Sequence, residues 1–448
     1  MKLYKHQEKI LELLTECDRF MVLAEQGTGK TFPMLLHITN LLISGEAKKW
    51  LVIAPLSALG AWERDLSRLS PLRQKVAKDA ITFINYDKVS RKGSKWQQTL
   101  SDTPWDGITL DEGHAISNPT SNRTRFLIGT PKFMGIAERA TYRYIMTGTL
   151  ITNGRLEDVW SPMRFLLGDE WHDKAYFWSH FLKTVQLPSS FVRIVTGYKN
   201  TDELLESVSR YSIRVEKKDC LDLPAKMEDE VVTIPLEAKK EYEEMLKEGT
   251  VDAFDIIADN PLVHSLRLRQ ISSGYVGNSD TGEVHELKSK KITYLKELVE
   301  STLPHKVVIF YEFTHSCEQI TAMLDKMKVK YVVLNGAQKD KQIWRKFQED
   351  DSIQVFVGQY QSACEGIDLF SSTHTIYFEP TRSSRILEQS RDRTHRTGVQ
   401  SACNYTFLLT QGTIEEEIYG KLAEYKDFTD DCYKEMMERR NGKVFDSE

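Results

Sequence analysis

The sequence predicts an α/β protein built as two parallel-sheet lobes in tandem, with a helical insertion in or after the first lobe. Three observations predict it. A chain of 448 residues exceeds the roughly 250–300 residues over which a single hydrophobic core usually grows. Short β-rich runs alternate with helical stretches, the pattern of a parallel sheet covered by helices. After an interruption the same alternation resumes. In the first half, Phe20–Ala24, Trp50–Ala54, Ile81–Asn85, Ile108–Leu110 and Tyr142–Met146 read as buried strands. From Glu157 to about Cys220 the pattern turns helical and aromatic, with Trp160, Phe165, Trp171, Phe177, Trp178 and Phe181 spaced like helix faces packing on a lobe. This stretch is the expected insertion, and its aromatics read mostly as core. Strands resume with Val231–Ile234, Val307–Phe310, Tyr331–Leu334, Ile353–Val357, Thr375–Phe378 and Tyr405–Leu409. The expected boundaries are 1–222 for the first lobe and 223–448 for the second.

Composition excludes several classes. With 40% hydrophobic and 28% charged residues the chain is of the ordered globular type, and no run approaches the ~20 apolar residues of a membrane span. The opening MKLYKHQEKI lacks an apolar segment followed by a small-residue cleavage site, so the expected location is cytoplasmic. The six cysteines are scattered without a CxxC pair, which suggests neither a zinc site nor a disulfide framework. A net charge of −5 means that any nucleic-acid contact must come from local patches. Candidates are Lys88, Arg91, Lys92 and Lys95; Lys288, Lys290 and Lys291; and Arg382, Arg385, Arg391, Arg393 and Arg396.

Three motifs carry chemistry. Ala24–Thr31 (AEQGTGKT) follows an apolar strand and precedes the helical run Met34–Leu42, the setting of a phosphate loop. Gly27, Thr28 and Gly29 would close backbone N–H groups around phosphates, Lys30 would meet their charge, and the Thr31 hydroxyl would help hold Mg²⁺. Ala24 stands where the strict pattern has its first glycine. Asp111-Glu112-Gly113-His114 directly follows the strand Ile108–Leu110, at a sheet edge where ligands gather. There Asp111 would bind Mg²⁺ and contact the nucleotide, while Glu112 would orient and deprotonate water. In Gln389–Gly398 (QSRDRTHRTG), Arg393 and Arg396 have the i, i+3 spacing of one helical face, so both could reach a phosphate in the transition state. ATP and Mg²⁺ are the cofactors these motifs imply.

Together these residues resemble the superfamily-two helicases, and the segments between them narrow the resemblance to the Swi/Snf branch, over nearly the whole chain. Tyr4–Gln7 resembles the adenine-recognition segment, which puts Gln7 on the base. Trp50–Leu66 resembles motif Ia, Thr82–Val89 the next DNA-contacting strand and turn, and Asp111–Asn118 the DEAH-like box. Thr147–Asn153 resembles the motif linking ATP state to DNA grip. Arg214–Lys226 resembles the lobe connector, Leu266–Ile271 a family helix, and Lys306–Phe313 the fourth motif. Ser362–Leu369 resembles motif V and Gln389–Gly398 motif VI.

The resemblance implies two RecA-like lobes and a DNA translocase, with phosphate-contact residues Ser57, Asn85, Lys88 and Ser362. Departures are Gly113 in place of alanine, Gln359-Tyr360-Gln361 before motif V, and Val399 where glutamine is usual. Lacking chromatin-reading domains, the chain is similar to the compact tailed-phage helicases that migrate DNA branches. That similarity implies a monomer acting on duplex, forked or four-way-junction DNA in replication, recombination or repair, with replication or recombination proteins as partners, in a bacterial host cytoplasm. Two alternatives stand beside it: an RNA helicase, and a slow ATP-gated DNA clamp or protein-displacing switch.

Overall fold

A computed structural model describes residues 3–186, 193–220, 222–258, 260–278, 281–340, 342–364 and 366–443. Leu221 of the connector and Glu365 of the motif V segment lie outside the described residues. The chain divides into two compact units, Met1–Asp222 with Lys426–Glu448, and Leu223–Tyr425.

In the first unit the strands are β1 (Arg19–Ala24), β2 (Trp50–Ala54), β3 (Ile81–Asn85), β4 (Gly107–Asp111), β5 (Tyr142–Thr147), an antiparallel ribbon of β6 (Leu182–Gln186) and β7 (Arg193–Tyr198), and β8 (Ser212–Val215). Six of them form one parallel sheet in the order β3-β2-β4-β5-β1-β8. Strand periodicity explains why these runs read as continuously apolar. Met21 and Leu23 of β1 join Leu51 and Ile53 of β2 in one core cluster, whereas Phe20, Val22 and Ala24 join Trp50, Val52 and Ala54 in the other. Both faces of the sheet are buried, so both parities must be hydrophobic.

The second unit repeats the plan. Its strands are β9 (Glu230–Ile234), the two-residue pair β10 (Thr250–Val251) and β11 (Ile256–Ile257), the ribbon β12 (Tyr275–Gly277) and β13 (Val284–Glu286), then β14 (Val307–Tyr311), β15 (Tyr331–Leu334), β16 (Val355–Gln359), β17 (His374–Tyr377) and β18 (Asn404–Thr410). The parallel sheet runs β15-β16-β14-β17-β18-β9. Val308 and Phe310 face one core cluster, and Val307, Ile309 and Tyr311 the other. The fold is two RecA-like lobes.

Two expectations change. The insertion is not wholly helical: after the helices Trp160–Leu167 and Lys174–Phe181 comes the β6–β7 ribbon, and Ser212–Val215 returns to the sheet beside β1. The ribbon was hard to read because most of its residues are exposed or half-buried and charged residues interrupt its apolar pattern. The aromatics Trp160, Phe165, Trp171, Phe177 and Phe181 are buried in the first unit's core, as expected. The second change concerns the final helix, Ile414–Lys443. The sequence placed all of it in the second lobe, but from Lys426 on it belongs to the first unit, where Cys432, Tyr433 and Met436 enter the core cluster of Leu150, Ile151 and Phe177. The local sequence of a long helix does not announce which core receives its apolar residues.

Candidate active site

The phosphate loop leaves β1 at Ala24 and enters the helix Thr31–Ser44. Gly27 and Gly29 adopt φ of +86° and +75°, a left-handed backbone readily open only to glycine. Gly29 is doubly constrained, since a Cβ there would lie 2.6 Å from Gln7 Nε2. Gln7 reaches the loop from the helix Lys5–Glu16: its amide donates to Gly29 O at 3.0 Å, and its Oε1 accepts from Tyr4 N at 3.1 Å. His6 Nε2 lies 2.8 Å from Thr28 O, and the Thr28 hydroxyl donates to Glu25 O at 2.8 Å. The glutamine expected on the adenine therefore also braces the loop.

Lys30 and Asp111 are buried, and Thr31 is half-buried at the first position of its helix. Lys30 Nζ donates to Ala24 O at 3.2 Å and lies 3.6 Å from Glu112 Oε1. Asp111 closes β4, two strands from β1. Trp62 Nε1 donates to Asp111 Oδ2 at 2.9 Å, Glu112 N to Oδ1 at 3.0 Å, and the Tyr86 hydroxyl to Asp111 O at 2.8 Å. Burial pushes the Asp111 carboxyl above the ordinary carboxylate value, while the Lys30 charge and the Trp62 hydrogen bond hold it down. Glu112 has φ +51°, a conformation costing about 1–2 kcal/mol in a residue with a Cβ. Its carboxylate lies between Lys30 and His114, whose Nδ1 is 3.3 Å from Glu112 Oε2 and 3.2 Å from Thr147 Oγ1. The glycine at 113 also has a reason: a Cβ there would meet Ile145 Cγ2 of β5 at 2.4 Å. The site thus offers oxygen donors (Thr31 hydroxyl, Asp111 carboxylate), a buried ammonium and left-handed glycines at a helix N-terminus. That chemistry fits Mg²⁺ and a nucleotide phosphate.

In the second unit the arginines depart from the helical-face expectation. The helix Ser384–Thr394 ends before Arg396, with His395 as its cap, so Arg393 and Arg396 do not share a helical face. His395 Nε2 lies 2.7 Å from Pro224 O, which helps stop the helix there. Arg393 is buried, donating from Nε to Gln389 O and from Nη1 to Ile367 O, each at 3.1 Å. Arg396 is half-buried and ion-paired to Asp368. Arg391, expected in a basic patch, is buried against Asp229 at 2.6 Å and Glu388 at 2.9 Å. Lys291 likewise leaves its patch: fully buried, it pairs with Glu415 at 2.5 Å.

The four expected DNA contacts stand on elements other than the phosphate loop and the carboxylate pair. Ser57 is exposed in the helix Leu56–Ser67, and Ser362 is half-buried in the turn of helix Tyr360–Ala363. Asn85 caps the helix Tyr86–Ser90 by accepting from Lys88 N, and Lys88 Nζ lies 4.1 Å above the Trp96 ring. Sequence reasoning missed three groups around Asp111 and Glu112: Trp62, Tyr86 and His114. All three lay within segments already singled out, but Trp62 and Tyr86 meet Asp111, and His114 meets Thr147, across long separations in sequence.

Two RecA-like lobes, the first holding a phosphate loop and a carboxylate pair after strands β1 and β4 of one parallel sheet, are the architecture of a helicase-type ATPase core. Residues 6–277 match the SNF2-related domain and residues 290–398 the helicase conserved C-terminal domain, and the chain belongs to the SNF2-related family. YwqA of Bacillus subtilis is 27% identical over 88% of this chain and 44% of its own length. The human DNA annealing helicase and endonuclease ZRANB3 is 22% identical over 93% of this chain and 39% of its length. The chain thus spans less than half the length of these curated relatives. Among solved structures, the SWI2/SNF2 ATPase core of Sulfolobus solfataricus in complex with dsDNA has 23% identity and a TM-score of 0.42, covering 96% of this chain and 92% of that one. No helix among the described residues is long and apolar enough to cross a membrane.

Proposed function

We propose that the protein is a DNA-dependent ATPase that couples hydrolysis of Mg-ATP to movement along duplex or branched DNA. The observation that carries this reading is the cluster of buried Lys30 and Asp111 with half-buried Glu112, beyond the ends of β1 and β4, in which Trp62 donates to the Asp111 carboxylate. Lys30 and the N–H groups of the Gly27–Gly29 turn bind the phosphates, and Gln7 takes the base while bracing the loop. Thr31 and Asp111 hold Mg²⁺, which would neutralise phosphate charge. Glu112, 3.6 Å from Lys30, orients the attacking water and accepts its proton. From the second unit, Arg396 and Arg393 stabilise the charge that develops on the transferred phosphoryl group. Ser57, Asn85, Lys88 and Ser362 are assigned to DNA phosphates, which hold the duplex without reading its sequence.

The substrate proposed is a branch point, and the protein acts on it as a monomer. Support comes from the resemblance to phage branch-migration helicases and from a relative named as a DNA annealing helicase. The physics agrees. A motor pulling one arm of a joint breaks one base pair as another forms, so each step is near balance. Plain unwinding loses stacking of about 1.4 kcal/mol per step without return.

The test measures ATP turnover with duplex DNA, single-stranded DNA and RNA side by side, then strand products from a mobile junction, an immobile junction of equal arms and a tailed duplex. Stimulation by duplex DNA and preferential processing of the mobile junction are expected. Stimulation by RNA alone would instead make the protein an RNA helicase. Tight ATP-dependent DNA binding with negligible turnover would make it a clamp. Equal rates on all three substrates would leave a general helicase.

A further inference from the structure

The helix Ile414–Lys443 makes one contact that the nucleotide site's chemistry does not require and that leads directly into it. Tyr433 is buried in the first unit, and its hydroxyl oxygen accepts from Leu150 N at 2.7 Å and from Ile151 N at 3.3 Å. These two amides belong to the loop leaving β5. One residue back, Thr149 N donates to Thr147 Oγ1 at 3.2 Å, and Thr147 Oγ1 donates in turn to Thr149 O at 3.1 Å. Thr147 Oγ1 lies 3.2 Å from His114 Nδ1, and that nitrogen lies 3.3 Å from Glu112 Oε2. A second arm starts at the tyrosine ring, with the Arg214 guanidinium 4.1 Å above its centre. Arg214 donates to Gly148 O at 2.7 Å and lies 3.7 Å from Glu25 at the start of the phosphate loop.

The two arms run from one side chain to two parts of the nucleotide site, Glu112 and the start of the phosphate loop. We infer that Tyr433 is a positioning residue: through the Thr147–Ile151 loop and His114 it sets the placement of Glu112, and through Arg214 it steadies the phosphate loop. Nucleotide turnover thereby depends on whether the C-terminal helix is seated. The physical case rests on satisfaction of donors. Two loop amides in a buried setting need an acceptor. Without it the loop must shift to find another, carrying Thr147, and with it the hydrogen-bonded imidazole beside Glu112.

This inference rests on the ATPase reading for one of its readouts and is independent of it for the other. In the full chain, Tyr433→Phe removes the acceptor but leaves the ring under Arg214, so the variant folds. Amide exchange in the segment containing Leu150 and Ile151 should quicken about fivefold, the factor expected for losing one net hydrogen bond. In turnover assays kcat should fall by a similar factor of about 5, with KM for ATP changed less than about twofold. The same substitution made on top of Glu112→Gln should have no further effect on kcat, because both act on one step. Unchanged exchange at 150–151 overturns the proposal. So does a kcat loss that persists undiminished in the Glu112→Gln background, which would mark Tyr433 as merely structural. If the wild type shows no ATP turnover, the function proposed above fails, and the exchange comparison alone decides for or against the tyrosine's hold on the loop.

Discussion

The charged groups of the first unit's site and the arginines of the second are organised in opposite ways. Around Lys30 the charged partner is another group of the site, Glu112 at 3.6 Å, with Asp111 next in sequence. Scaffold groups add to this, since Lys30 donates to Ala24 O and Asp111 accepts from Trp62 and from Glu112 N. The second unit's arginines are held by scaffold: Arg393 by the carbonyls of Gln389 and Ile367, Arg391 by Asp229 and Glu388, and Arg396 by Asp368. Opposite charges already set beside one another are preorganised for binding. Under the proposed function, arginines committed to carbonyls and carboxylates would exchange some of those bonds for phosphate, a pattern suited to groups that matter in the transition state.

Breaking the first site should have the largest effect. Lys30→Ala is expected to abolish ATP turnover while DNA affinity stays within about twofold, because its partners all lie in the loop and the β4 end; filter binding beside a phosphate-release assay checks this. Glu112→Gln should retain Mg-ATP binding and lose nearly all hydrolysis, since Asp111, the proposed metal ligand, is spared. Unchanged turnover in that variant would remove Glu112 from its role.

Arg396→Ala sharpens the contrast. Turnover should fall by ~10³–10⁵ with ATP affinity altered far less. Arg393→Ala should lower turnover comparably and also lower folding stability by about 1–3 kcal/mol, because Gln389 O and Ile367 O lose a buried charged donor. A denaturant midpoint unchanged in Arg393→Ala would show that its carbonyl bonds hold nothing together.

Smaller effects are expected around the carboxylates. Trp62→Phe keeps the aromatic volume but deletes the donor to Asp111 Oδ2. Groups that orient a metal ligand typically contribute a factor of about 10–100, so the Mg²⁺ concentration for half-maximal turnover should rise by about tenfold. The last expected effect is on stability and leaves turnover aside. Asp158, buried beside the β5 loop with Thr152 N on its Oδ2, has its pKa pushed up to about 6, chiefly by burial. A raised carboxylate pKa favours the protonated folded state. That contribution is complete below the ordinary value near 4 and is lost as pH rises through 6. Asp158→Asn, which stays neutral, should therefore gain on the wild type by about 2–3 kcal/mol between pH 4 and pH 7. Parallel melting curves at the two pH values would contradict the assignment.

Local sequence was sufficient wherever one element carries both the signal and its consequence. The buried strands read as unbroken apolar runs because each must satisfy two faces, and Gly27, Gly29 and Lys30 read as a phosphate loop because turn, glycines and cation are contiguous. Asp111 and Glu112 were legible for the same reason, standing at a strand end. Tertiary structure alone decided what depends on atoms meeting across long separations. Trp62 became the donor to Asp111, and Gly113 had to lack a Cβ because Ile145 fills the space. Lys291 and Arg391, charged and thus expected in basic patches, were buried by Glu415 and Asp229. The spacing of Arg393 and Arg396 promised a shared face, which the helix end at Thr394 removed. Nothing local in the last helix names the core that receives Cys432, Tyr433 and Met436; burial of Tyr433 beside Leu150 did. Periodicity reports that a surface must be covered, and the identity of the cover is a property of the packed chain.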